Sequence, residues 1–211
     1  MCDGCIGDSM VVTDITNISG SKSRFRVYID EEFAFVLYKG ELRTHGLTVG
    51  ANISTEGYCE IMTKILPKRA KMRSLHLLKN RSYTETQIRN KLTEGEYSEE
   101  IINDTINYLK SYRYIDDTQF AKNYIEYHKN NKSRNRILRD LSKKGISFDI
   151  TAEIYSRITD GRDEETENNQ ILYLLEKRKF DKSTADLKER HRVYTFLLSK
   201  GFMPDSIKRF L

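Results

Sequence analysis

Three apolar helical runs in this 211-residue chain end the same way, at Leu92-x4-Tyr97, Leu141-x3-Gly145-Ile146 and Leu197-x3-Gly201-Phe202. The first leucines lie 49 and 56 residues apart, and each segment precedes another amphipathic stretch. A glycine just past a helical run adopts the left-handed turn that closes a helix, and the apolar residue after it staples one helix to the next. Each interval holds three short helices, which enclose little interior, so neighbouring units must bury one another's faces. The recurrence therefore predicts a mainly α fold of tandem three-helix repeats, stacked as an elongated curved array. A single compact helical domain is the alternative. The first copy carries Glu96 where the others have glycine.

Upstream the apolar period is two. Phe25, Val27 and Ile29 alternate with Arg24, Arg26 and Tyr28, and Phe33, Phe35 and Leu37 follow Asp30-Glu31-Glu32, the pattern of a β-hairpin. Residues 10–60 are thus expected to form a small β-rich extension, too thin to stand alone and packed on something helical. From about Glu56 the period changes to 3.6, with Pro67 marking a kink or a helix start. Repeats are expected at 61–115, 116–160 and 161–211. Helix starts are marked at Thr84 (with Gln87), Ser98, Asp116, Ser133 and Ser147, and Pro204 suits the first turn of a last helix.

Little in the chain resembles catalytic or cofactor machinery. Residues 1–9 read as a disordered leader ahead of an alternative start at Met10; Cys2-x-x-Cys5 has half a zinc or redox spacing, with no second half. Cys59 stands alone, and His45, His76, His128 and His191 lack ligand spacing. Gly20-Ser21-Lys22-Ser23 lacks the earlier glycine of a phosphate loop. Adjacent Asp116 and Asp117 suit helix capping better than paired acid/base work. No nucleophile elbow occurs, so neither an enzyme nor a cofactor is expected. The longest apolar run, Phe33 to Tyr38, is far below the ~20 residues of a membrane span, and no signal peptide precedes it, which points to a cytoplasmic protein.

Charge is the remaining signal. The net charge of +5 is unevenly spread: residues 1–60 hold 5 basic and 9 acidic side chains, residues 61–211 hold 31 and 22. Between 129 and 144, Lys129, Lys132, Arg134, Arg136, Arg139, Lys143 and Lys144 face one acid, Asp140. Further clusters include Lys64, Lys68, Arg69, Lys71, Arg73, Lys79 and Arg81, then Lys177, Arg178, Lys179 and Lys182. A solvated helix face accounts for any one lysine, but three basic zones in a repeat protein suit a long polyanion.

Four segments in order resemble the RecX family of regulatory proteins. They are Ala70 to Leu92 (with Leu77, Arg81, Ser82, Ile88 and Arg89), Tyr114-Ile115-Asp116-Asp117-x2-Phe120-Ala121, Arg136-Ile137-x3-Leu141-x2-Lys144-Gly145-Ile146, and Phe196-Leu197-x2-Lys200-Gly201-Phe202. Glu96 and Lys200 depart from the family pattern, and residues 2–9 have no counterpart in it. The resemblance implies three-helix repeats that lie in the groove of a RecA filament on single-stranded DNA and inhibit its ATPase, strand exchange and growth or persistence. On that basis Lys132, Arg134, Arg136, Arg139, Lys143, Lys144, Arg73, Arg81, Arg89, Lys177 and Arg178 are candidate contacts to RecA or the DNA phosphate backbone. Tyr114, Asp116, Asp117, Phe120, Ala121, Gly145, Gly201 and Phe202 are candidates for packing between repeats, with Tyr114 and Phe120 as buried rings. A monomer is expected. The rival reading is a stand-alone DNA-binding regulator of the helix-turn-helix type.

Overall fold

The computed structural model describes residues 10–211, so the segment expected to be a leader, with Cys2 and Cys5, lies outside the described residues. The described chain divides into two units, residues 10–81 with 88–114, and residues 82–87 with 115–211.

In the first unit the period-two segment forms an antiparallel sheet of β1 (Met10–Asn17), β2 (Arg24–Ile29), β3 (Glu32–Tyr38) and β4 (Asn52–Ile53), in the order β3-β2-β1-β4. β2 and β3 are the expected hairpin. Its two-residue loop, Asp30 and Glu31, has φ of 49° and 70°, the left-handed pair that matches strand twist but normally calls for Asn and Gly. Local bonds compensate: Asp30 Oδ1 accepts from the Val11 N–H (3.0 Å), and the Glu31 N–H donates to Thr13 Oγ1 (3.0 Å). The register slips between Val27 and Tyr28, which pair with Phe35 and Phe33. Simple alternation therefore fails in β3, where Phe35, Val36 and Leu37 are all buried and Phe33 is exposed.

A short helix, α1 (Lys39–Thr44), interrupts the β-rich segment; its single buried apolar residue, Leu42, left no periodic signal. α2 (Thr55–Glu60) runs through a π turn (Ile61–Ile65) into α3 (Leu66–Asn80). Pro67 has no N–H to give the carbonyl four residues back, and here the ladder lengthens, Leu66 N–H donating to Ile61. The chain widens at this point instead of breaking. α3 packs on α5 (Glu99–Ser111), and Arg69 ties this layer to the sheet by donating to the Val36 carbonyl (2.6 Å), Glu41 (2.6 Å) and Tyr97 Oη (3.0 Å). The β extension is thus packed on helices, as its thinness requires.

α4 (Glu85–Thr93) ends in the turn whose left-handed position is held by Glu96 instead of glycine. Glu96 takes φ of 61°, and the Tyr97 N–H returns to the Leu92 carbonyl, as in a glycine-closed cap. What holds a glutamate there is the sheet: Arg26 grips its carboxylate through two bonds of 2.6 and 2.9 Å. Arg26→Ala should lower the melting temperature, and Glu96→Gly added to it should recover part of the loss by relieving the left-handed strain. Thermal melts of the single and double variants check this, and no recovery would contradict it.

The second unit comprises α6 (Asp117–His128), α7 (Arg134–Ser142), α8 (Phe148–Ile158), α9 (Asp163–Lys177), α10 (Leu187–Ser199) and α11 (Pro204–Lys208). Two apolar clusters fill it, one around Ile125, Leu138, Leu141 and Tyr155, the other around Ile171, Leu175, Leu197 and Phe202. The helix starts lie where the cap signals put them: the Ser98, Asp116, Ser133 and Ser147 side chains accept from the N–H three residues on, and Thr84 and Gln87 bond reciprocally.

Candidate functional site

The recurring turn is also a joint. Gly145 and Gly201 have φ of +89° and +91°, with Ile146 and Phe202 N–H groups donating back to Leu141 and Leu197. The carbonyl just before each glycine accepts from the N-cap hydroxyl of another helix: Thr84 Oγ1 donates to Lys144 (2.5 Å) and Ser133 Oγ to Lys200 (3.2 Å). In the first unit the carbonyl at the same place, Gly95, accepts from Arg24 (3.3 Å) instead. A Cβ at Gly145 would lie 2.0 Å from Thr86 Oγ1, and one at Gly201 would lie 2.7 Å from Ser133 Oγ. Glycine is needed both for backbone sign and for close approach.

The acidic pair splits between two helix ends. Asp116 caps its own helix through the Gln119 N–H (2.9 Å), while Asp117 Oδ1 accepts the Glu85 N–H (2.9 Å) at the start of α4. Ala121 and Phe202 are buried, and Phe120 is partly buried against the first cluster. Tyr114 corrects the expectation of a buried ring: it is 49% exposed, lying against Tyr108 and Tyr112, and Ile115 is the buried neighbour. The helix has already turned at Arg113, φ 55°, so the next side chain points out and the one after it points in.

The basic candidates divide sharply by partner. Lys132 pairs with Asp140 (2.9 Å) and donates to Tyr124 Oη (2.9 Å), and Arg136 shares the same carboxylate (3.2 Å). Burial would raise Asp140, but the bonds from Lys132 and Tyr124 and the Lys132 and Arg136 charges outweigh it and hold the carboxyl below its usual range. Arg134 pairs with Asp163 (3.1 Å) and lies over the Tyr155 ring. Arg178 sits 3.7 Å from the Phe196 ring centre, with Lys200 at 5.3 Å from the same ring. Arg139 bonds only its own helix, at the Asn135 carbonyl, and neither Lys143 nor Lys144 has a carboxylate partner among the described residues. Lys177 is exposed.

These residues are connected through the Gly201 joint. A Cβ there would meet Arg136 Cβ at 2.8 Å and an Arg139 guanidinium nitrogen at 3.2 Å. Lys200, the residue before it, shares Phe196 with Arg178. Lys132, Arg136, Arg139, Lys200 and Arg178 therefore form one linked basic surface in the second unit. Lys200 is a member that sequence reasoning placed only in the turn; its position two helices from Arg139 hid it. In the first unit, Arg73 is half-buried, Arg81 follows α3, and Arg89 donates to Asn103 Oδ1 (2.7 Å).

His128, given no role from sequence, packs on Tyr124 at 4.3 Å between ring centres; burial, then the nearby Lys132 charge, lowers its pKa. Among the described residues no three His, Cys, Asp or Glu side chains gather as a metal site, and no helix is long and apolar enough to cross a membrane.

Helices joined turn to cap, with a linked basic surface in the second unit, define a protein of tandem three-helix domains. Family models describe two of these segments as the first three-helix domain of RecX, matched by residues 70–109, and the third, matched by residues 165–211. The chain is 30% identical to the regulatory protein RecX of Clostridium botulinum strain Alaska E43 over 191 residues, covering 89% of this chain and 88% of the relative. It is 32% identical to that of Clostridium perfringens strain SM101, covering 90% and 91%, and 30% identical to that of Clostridioides difficile strain 630, covering 95% and 94%. A crystal structure of a regulatory protein RecX superposes with a TM-score of 0.55 at 23% identity over 94% of this chain and 97% of that one. RecX from Lactobacillus salivarius superposes with a TM-score of 0.57 at 24% identity over 69% and 94%. The chain belongs to the RecX family of regulatory proteins.

Proposed function

We propose that this protein binds the RecA–DNA filament in its helical groove and inhibits RecA ATPase, strand exchange and filament growth or persistence. In this reading the repeats at 61–115, 116–160 and 161–211 follow the groove, and the basic surface meets DNA phosphate or acidic RecA side chains. The observation that carries it is the linked basic surface with its uncompensated members. Charges already bonded to Asp140 or Asp163 have less to offer a new anion, so Arg139 in that surface, and Lys143 at the C-cap of the same helix, are the residues on which a polyanion contact would depend most.

The test is RecA ATPase on single-stranded DNA, titrated with this protein while filament length is followed. Inhibition is expected, and its absence would end the proposal. Arg139→Glu with Lys143→Glu should weaken inhibition and flatten its salt dependence, since each lost phosphate contact lowers the salt slope by about 1. The melting temperature should hold, because neither side chain has a carboxylate partner among the described residues. Unchanged inhibition by the double variant would remove this surface from the contact. Tighter binding to bare DNA than to RecA-coated DNA, at two salt concentrations, would favour the stand-alone regulator.

A further inference from the structure

Beside the basic segment, α6 carries a cleft that the filament proposal does not use. Phe120, Tyr124, Tyr127 and His128 line it with Asn123 and Ser82, enclosing about 220 Å³. Tyr127 is 79% exposed, an aromatic ring held in water at the cleft mouth and stacked only edge-on against His128. The Lys144 ammonium lies 5.8 Å from the Phe120 ring centre and 5.9 Å from that of Tyr124, with no carboxylate partner among the described residues. Asn123 Oδ1 is taken by Gln119 (2.8 Å), which leaves the Asn123 NH₂ as a donor at the rim.

The geometry points to a site on α6 that takes one unpaired base of single-stranded DNA, stacked on Tyr127 and neighbouring rings, with its phosphate toward Lys144. The chemistry selects this occupant from three sides. The exposed Tyr127 face rewards a flat ring, the Lys144 ammonium beside the Phe120 and Tyr124 rings rewards an anion, and the two together match a base joined to phosphate. A donor at the rim suits the carbonyl oxygens of thymine. An apolar peptide would bury Lys144 without neutralising it, at a desolvation cost. A duplex keeps its bases stacked and offers only phosphate. The inference builds on the proposed polyanion contact of the neighbouring segment, but its defining element is the base.

The chain contains no tryptophan, so Tyr127→Trp supplies a single reporter at the cleft. Oligo(dT) should quench its emission, whereas an abasic oligomer of equal length, with the same phosphates, should not. With the remaining sequence intact, Tyr127→Ala should weaken oligo(dT) binding about 5- to 150-fold, the range for losing one stacked base, and leave abasic binding unchanged. Tyr127→Phe should bind as the unaltered protein does, because stacking uses the ring and not the hydroxyl. The exposure of residue 127 makes all three variants compatible with folding. Equal affinity for oligo(dT) and the abasic oligomer, or an unaltered affinity in Tyr127→Ala, would overturn the site. RecA ATPase separates the two proposals: base-dependent binding without RecA inhibition upholds this site and rejects the filament reading, and inhibition without base dependence does the reverse.

Discussion

Replacing Gly145 by alanine is expected to destabilise the second unit by about 2–5 kcal/mol, from ~1–2 kcal/mol for a left-handed non-glycine residue and ~1–3 kcal/mol for overpacking. The backbone at φ +89° supplies the first part. The second comes from Thr86, whose Oγ1, Cβ and Cγ2 would lie 2.0, 2.2 and 2.7 Å from the new carbon. Part of this clash is with a Cβ fixed to helix α4, so rotating the Thr86 side chain cannot relieve it. The joint would have to open, breaking the bond from Thr84 to the Lys144 carbonyl. Gly201→Ala, where the nearest atoms lie at 2.7 and 2.8 Å, should cost less. Chemical denaturation of both variants measures the difference; a Gly145→Ala protein with the original midpoint would refute the joint.

Tyr155→Ala should cost about 3–5 kcal/mol, as for a large ring removed from a closed core. Tyr155, on α8, is fully buried in the cluster with Ile125 and Leu138, under the Arg134 guanidinium, and its hydroxyl accepts from Gln170 Nε2 on α9 (3.3 Å). Burial first, with Asp163 and Glu167 nearby, raises its pKa and keeps the phenol neutral. Tyr155→Phe retains the ring but strands Gln170, whose Oε1 already lacks a partner, and should cost about 1–3 kcal/mol. Tyr114→Ala serves as the contrast: half-exposed, it should change stability by less than about 1 kcal/mol. Equal thermal shifts for Tyr155→Ala and Tyr114→Ala would contradict this account of the core.

Legibility followed the range of each interaction. The caps at Ser98, Asp116, Ser133 and Ser147 could be read from the chain because each bond spans three residues. The slipped register of β3 could not, since a bulge is decided by strand pairing and packing. Glu96 departs from the repeat in sequence, and it is held in place by Arg26, 70 positions earlier. For the candidate site, the run from Lys129 to Lys144 was visible as charge, but sequence spacing cannot say which charges are spent. Arg134 is paired with Asp163 from another helix, while Arg139 and Lys143 have no such partner among the described residues.

Local chemistry written in the chain therefore determined the amphipathic helices after Glu56, the capped starts, the glycine-closed turns and the three-helix period, because apolar spacing and capping act within a turn or two. Tertiary structure alone decided which ring is core and which is solvent, which cation is paired, and that the recurring turn docks on another helix's cap. Those outcomes depend on residues tens of positions apart, whose meeting is a property of the folded chain.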